Sequence, residues 1–73
     1  MTNAQAWGSR IKWHRLDRSM TQRQLADAVG VTQTSVSKWE LGAAVPTMDL
    51  AIAIARALGT TLDPIYFTEI TDE

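Results

Sequence analysis

Three threonines and three glycines divide this chain more firmly than any other feature. Thr21 precedes an apolar-periodic stretch that stops at Gly30, Thr32 opens a second that stops at Gly42, and Thr47 opens a third that stops at Gly59. A threonine at a helix N-cap accepts a hydrogen bond from a first-turn amide. A glycine after the last turn takes the left-handed conformation that satisfies the final carbonyls. Gln24, three residues after Thr21, completes a capping-box pattern. The spacing therefore predicts short helices with hard stops. Only Val29-Gly30-Val31-Thr32 separates the first two of them.

Two short helices joined by so tight a turn cross steeply, which is the helix-turn-helix geometry, placed here at about residues 21–41. Ala26 is small where the first of the pair must let the second approach. Val31 and Val36 are placed to fill the angle, and Val36 and Trp39, at i, i+3 spacing, face inward. Upstream, a helix is predicted over about residues 4–18, with Trp7, Ile11 and His14 on one stripe and Leu16 beside it. Ser19 and Met20 form the connection. Downstream of the loop Ala43-Ala44-Val45-Pro46, the helix capped by Thr47 carries Leu50, Ile52, Ala53, Ile54, Ala57 and Leu58, rich enough to be nearly buried and ended by Gly59. A last short helix, capped by Thr60 or Thr61, is expected through Phe67 with Pro64 in its first turn. Residues 68–73 are polar and acidic and are expected to fray. No stretch alternates in the manner of a strand. The expected fold is all-α: a compact five-helix domain over residues 1–67, followed by the tail.

The 73 residues leave room for one domain, and a 45% apolar content suits a globular one. The chain has no cysteine, which excludes disulfides and thiolate metal sites. The first eight residues lack the apolar core of a secretory leader. No segment approaches the ~18 apolar residues of a membrane span. Net charge is −1, but it is unevenly spread. Residues 1–38 hold six basic side chains against two acids, and residues 39–73 hold one against six. A protein meets DNA with a face rather than with its average charge, so this asymmetry keeps nucleic acid open as a partner.

The helix opening at Gln33 has an unusual outer face. Gln33, Thr34, Ser35, Ser37 and Lys38 gather there with no acid before Glu40. Glutamine can pair bidentately with adenine, lysine can bond guanine, and a threonine methyl can meet the thymine methyl. A merely solvated helix more often carries Glu-Lys pairs. An ordinary capped surface helix is the plainer explanation of the same residues.

The landmarks Met20-Thr21-Gln22-Arg23-Gln24-Leu25-Ala26, Gly30-Val31-Thr32-Gln33, Val36-Ser37-Lys38-Trp39-Glu40-Leu41-Gly42, Val45-Pro46-Thr47, Leu50, Ile54-Ala55 and Ala57-Leu58-Gly59 resemble the phage-repressor/Cro-type helix-turn-helix family, also called the xenobiotic-response-element family. The resemblance covers about residues 8–67. It implies an all-α, five-helix, lambda-repressor-like domain that binds a palindromic operator in double-stranded DNA as a homodimer, at least on DNA, with the second helix of the motif in the major groove. Carried over by position, it places Gln33, Thr34, Ser37 and Lys38 on base edges and Gln22 and Arg23 on phosphate. Ser35 is placed on phosphate or a base edge. It pairs Arg15 with Glu40 in a structural salt bridge joining the first helix to the end of the third. Leu41, where a polar or basic residue is usual, and Ala43 and Ala44, in a loop that is often basic, depart from the pattern and imply fewer backbone contacts. His14 stands at a position that is often leucine.

His14 and Asp17 form an i, i+3 pair without a nucleophile or metal shell, so His14 reads as a helix-surface or partly packed histidine. There are no paired acids in an apolar setting and no phosphate loop. An enzyme, a metal, a cofactor and a small-molecule ligand are all unexpected. Trp7 and Trp13 lie roughly 120° apart on a helical wheel and cannot share one narrow stripe. Each is either partly buried or an aromatic at a protein interface. Tyr66 and Phe67 either close the core or form a dimer contact. The function expected is a cytoplasmic, sequence-specific transcriptional regulator, a repressor associated with the nucleoid when bound. The alternative is a protein-interaction module of the same fold, an antitoxin or adaptor with a protein partner.

Overall fold

The computed structural model describes residues 3–60, which form four helices: α1 (Asn3–Asp17), α2 (Gln22–Val29), α3 (Gln33–Leu41) and α4 (Met48–Ala57). The expected fifth helix and acidic tail lie outside the described residues. The capping read from the sequence is present in detail. The Gln24 amide donates to Thr21 Oγ1 at 3.0 Å, and the Thr21 amide donates to Gln24 Oε1 at 2.8 Å. Thr32 and Thr47 receive the amides of Ser35 and Leu50 in the same way. Gly30 takes φ 85°, and its amide and that of Val31 both donate to the Ala26 carbonyl at 2.8 and 2.9 Å. That left-handed residue is what turns the chain from α2 into α3.

Two boundaries differ from the expectation. Helix α1 ends at Asp17 rather than Arg18, because Ser19 takes φ 53° and the Met20 amide folds back to the Arg15 carbonyl at 3.0 Å. Helix α4 ends at Ala57 with Leu58 at the C-cap, and Gly59 is left-handed one residue further on.

The helices enclose one core. Ile11 comes from α1, Leu25 and Ala26 from α2, and Val36 and Trp39 from α3. Ile54 and Ala55 come from α4, and Leu58 from its end. Met20, Val29, Val31, Leu50 and Ala57 pack around its edge. Helix α3 lies against both α1 and α2, and α4 lies against α2. Trp39 and Ala26 are buried as their spacing required. The expectation of a nearly buried α4 is corrected: Ile52 is 39% exposed, since a helix seated on one side of a bundle hides one face only. Trp13 is 62% exposed and Leu16 is likewise at the surface, whereas Trp7 is half-buried.

A feature that periodicity did not reveal is Gly8, in mid-helix. A Cβ there would press on the Trp39 carbonyl oxygen and lie 2.7 Å from that of Glu40. Glycine costs a helix interior about 1 kcal/mol relative to alanine. Here its lack of a side chain lets α1 lie directly on the end of α3.

The same end of α3 is tied to α1 by charge. Arg15 Nε donates to Glu40 Oε2 at 2.6 Å and Nη2 to Oε1 at 3.0 Å, while Nη1 donates to the Met20 carbonyl at 2.7 Å. Only 8% and 3% of the two side chains are exposed. The pair expected between Arg15 and Glu40 is therefore a buried, two-pronged salt bridge.

These observations generate three expectations. Glu40→Ala should lower the unfolding free energy by roughly 3–5 kcal/mol, because it strands a buried guanidinium. Replacing both partners with apolar residues (Arg15→Met with Glu40→Leu) should recover part of that loss, and urea denaturation of wild type, Arg15→Met, Glu40→Leu and the double variant measures the coupling. Gly8→Ala should destabilise by about 1–3 kcal/mol despite alanine's higher helix propensity, since backbone must move to make room. An unchanged urea midpoint would mean that α1 and α3 do not meet as described. Burial holds the His14 imidazole below its ordinary pKa of 6.5, helped by the charge of Arg18 and opposed by that of Asp17. The unfolded chain then binds more protons below that pH. Stability should be complete above pH 6.5 and decline as the pH falls from there through the lowered folded-state value. In His14→Gln that component of the acid loss should disappear, as followed by thermal melts across the pH range.

Candidate nucleic-acid interface

Helix α3 begins at Gln33, and the Thr32 cap holds its first turn rigidly. Gln33, Thr34 and Lys38 are exposed, while Ser35 and Ser37 are half-buried. Thr34 and Lys38 stand four residues apart on one side of the helix, with Gln33 beside them at the N-terminal end. Ser35 is drawn back toward the cap, its hydroxyl 3.2 Å from Thr32 Oγ1. Lys38 makes no ion pair among the described residues, nor does Arg23 on α2. The exposed side of α3 ends in Leu41, which is 71% exposed, and Ala43 follows in the loop without adding charge.

The N-terminus of α2 lies beside α3, because Gln22 Nε2 donates to Glu40 Oε1 at 3.0 Å. Gln22 is half-buried and joins the Arg15–Glu40 bridge, a role the sequence reading missed. The capping box consumes the amides of Thr21 and Gln24. The amides of Gln22 and Arg23 meet no acceptor among the described residues. A helix start with two open amides and an arginine, Arg23, in its first turn is suited to an anion. The structure thus brings Gln22, Arg15 and Glu40 together, and sets Gln33, Thr34 and Lys38 outward on one short helix. It turns Ser35 and Ser37 partly away from solvent.

Among the described residues no three potential ligands gather in a way that could hold a metal ion, and no helix is long and apolar enough to cross a membrane. A shallow cavity of about 350 Å³ lies along the outer side of α1, lined by Ala6, Ser9, Arg10, Trp13 and His14. It is remote in sequence from the α3 face.

A helix-turn-helix family model matches residues 11–65. The chain is 42% identical over 53 residues to the cryptic phage CTXphi transcriptional repressor RstR of Vibrio cholerae, covering 73% of this chain and 47% of that protein. It therefore spans about half the length of that relative. Among solved structures it resembles the P22 c2 repressor in complex with a synthetic operator, at TM-score 0.83 and 28% identity over 89% of this chain and 98% of the other. It also resembles Bacillus thuringiensis PlcR in complex with the peptide PapR7 and DNA, at TM-score 0.84 and 36% identity, covering 96% of this chain and 25% of PlcR. The match spans the capped α2–Gly30–α3 unit and the helices that support it, and on this ground the chain belongs to the phage-repressor/Cro-type helix-turn-helix family.

Proposed function

We propose that this chain is a sequence-specific DNA-binding transcriptional regulator that represses by occupying a palindromic operator. The observation that carries this reading is the pairing of two surfaces on neighbouring helices. One is the exposed Gln33, Thr34 and Lys38 face of α3, and the other is the open amide end of α2 beside Gln22 and Arg23. In this reading α3 enters the major groove, with Gln33, Thr34, Ser37 and Lys38 at base edges. Gln22, Arg23 and Ser35 hold phosphate. Gln22 keeps one amide hydrogen on Glu40 and offers the other to the backbone, so its phosphate contact is preset by the folded core. The operator complex of the P22 c2 repressor and the repressor name of RstR support the reading by likeness. The regulator acts as a homodimer on half-sites about 10 base pairs apart, in the cytoplasm with the nucleoid.

Leu41, Ala43 and Ala44 supply no charge to the backbone, so the salt slope is expected to be shallow for a protein of this family. Gln33→Ala should cost about 1–3 kcal/mol on the preferred site and relax preference at one or two base pairs. Gln22→Ala should weaken all sequences alike and leave the salt slope nearly unchanged, because no charge is removed. Selection from a random DNA pool, followed by titration at several salt concentrations, measures both. If wild type and Gln33→Ala return the same site, α3 is not the reader, and an antitoxin-like or adaptor-like interaction module takes the place of this reading.

A further inference from the structure

Helix α4 carries more apolar surface than its seat in the bundle uses. Ala51, Ile54 and Ala55 face inward and are buried, as is Leu58 at its end. Beside that face Met48, at the start of the helix, is 57% exposed and Ile52 39%, and Val45, just ahead of the helix, is 50% exposed. At about 100° per residue, Met48, Ile52 and Arg56 follow one another along a single stripe, with Asp49 at its edge. A solvated helix face would be polar at those positions. Asp49 lies in the first turn and Arg56 in the last, both exposed, and neither makes an ion pair among the described residues.

We propose that this outer face of α4 is a self-association surface, on which α4 of a second copy packs antiparallel about a twofold axis near Ile52. This rests on the reading of the chain as a dimeric regulator and names the surface that would join the two copies. The argument is one of charge complementarity. Asp49 and Arg56 lie at equal distances along the helix from a point between Ile52 and Ala53. An antiparallel twofold therefore sets each Asp49 against Arg56 of the other copy, giving two attractive pairs. Ile52 meets its own counterpart at the centre, and each Met48 covers the aliphatic stem of the opposing Arg56. A parallel arrangement would set like charge on like. The α3 face stays uncovered, because it belongs to a different helix and α4 reaches the bundle through its inner side.

The test is sedimentation equilibrium of the full chain at low ionic strength, with circular dichroism confirming that each variant is folded. The wild type should show a concentration-dependent dimer that weakens with added salt. Asp49→Arg and Arg56→Asp should each weaken it roughly tenfold or more, since two attractive pairs become two repulsive ones. An equimolar mixture of the two variants should associate again, because one chain then carries two positive ends and the other two negative ends. That rescue cannot come from misfolded chains. Ile52→Asp should weaken the dimer without rescue by any mixture. A wild type that stays monomeric, a dimer indifferent to both charge reversals, or a mixture that fails to associate would each overturn the proposal. Binding to a duplex with one half-site separates this from the DNA reading. Both charge variants should keep wild-type half-site preference. If the wild type shows no preferred half-site while the mixture rescues association, the regulator reading falls and the surface stands.

Discussion

Glu40 is a carboxylate with 3% of its side chain exposed, and the arrangement of the helices depends on how its charge is met. An isolated buried carboxylate would cost several kcal/mol. Here both oxygens are occupied by Arg15 from α1, and Oε1 also receives Gln22 from α2. Three helices are thus held at one point. Such a network contributes little net stability, because desolvation offsets most of its attraction. What it supplies is selectivity among packings: any slippage of α3 against α1 or α2 leaves a buried charge unmatched. An apolar core of Leu25, Val36 and Ile54 alone would tolerate small shifts at modest cost.

Steric closeness reinforces the same junction. Gly8 lets α1 approach the carbonyls of Trp39 and Glu40, so Arg15, two turns further on, reaches Glu40 with its side chain in place. Ala26 plays the corresponding part between α2 and α3, being buried in the core beneath the turn at Gly30. The outcome is a short α3 held by a cap at its start, a left-handed glycine at its end and a charged clamp on its inner side. Its outer side is left to whatever the protein meets. A recognition element gains precision from this kind of rigid support.

The outer surfaces divide the work proposed for the molecule. The α3 face carries one lysine and several neutral hydrogen-bonding groups, and the exposed Leu41 closes it. Such a face discriminates more by hydrogen bonding than by bulk charge, in keeping with a net charge of −1. A weakly charged reader has much to gain from binding as a pair, since the second contact becomes intramolecular. The apolar stripe of α4 and its two opposed charges fit that need.

Much of this fold was legible from local chemistry. Capping threonines and left-handed glycines act within a turn of themselves, so the starts and stops of α2 and α3 followed from the residues alone. Inward positions such as Val36 and Trp39 followed from 3.6-residue periodicity. The residues proposed for bases and phosphate came from a resemblance in pattern, and the exposure of Gln33, Thr34 and Lys38 on α3 agrees with local spacing. What local chemistry did not reveal depends on contacts between residues far apart in the chain. Gly8 looks like a flaw in a helix until Trp39 is placed against it. Gln22 looks like a surface amide until Glu40 is brought beneath it. The apolar run of α4 reads as buried throughout, yet only its neighbours decide that Ile54 goes inside and Ile52 stays in solvent. By itself the sequence determined where α2 and α3 begin and end and where α4 begins. Only the tertiary structure decided which side of α4 is covered and where the helices touch, because burial is a property of two surfaces meeting and a sequence specifies only its own.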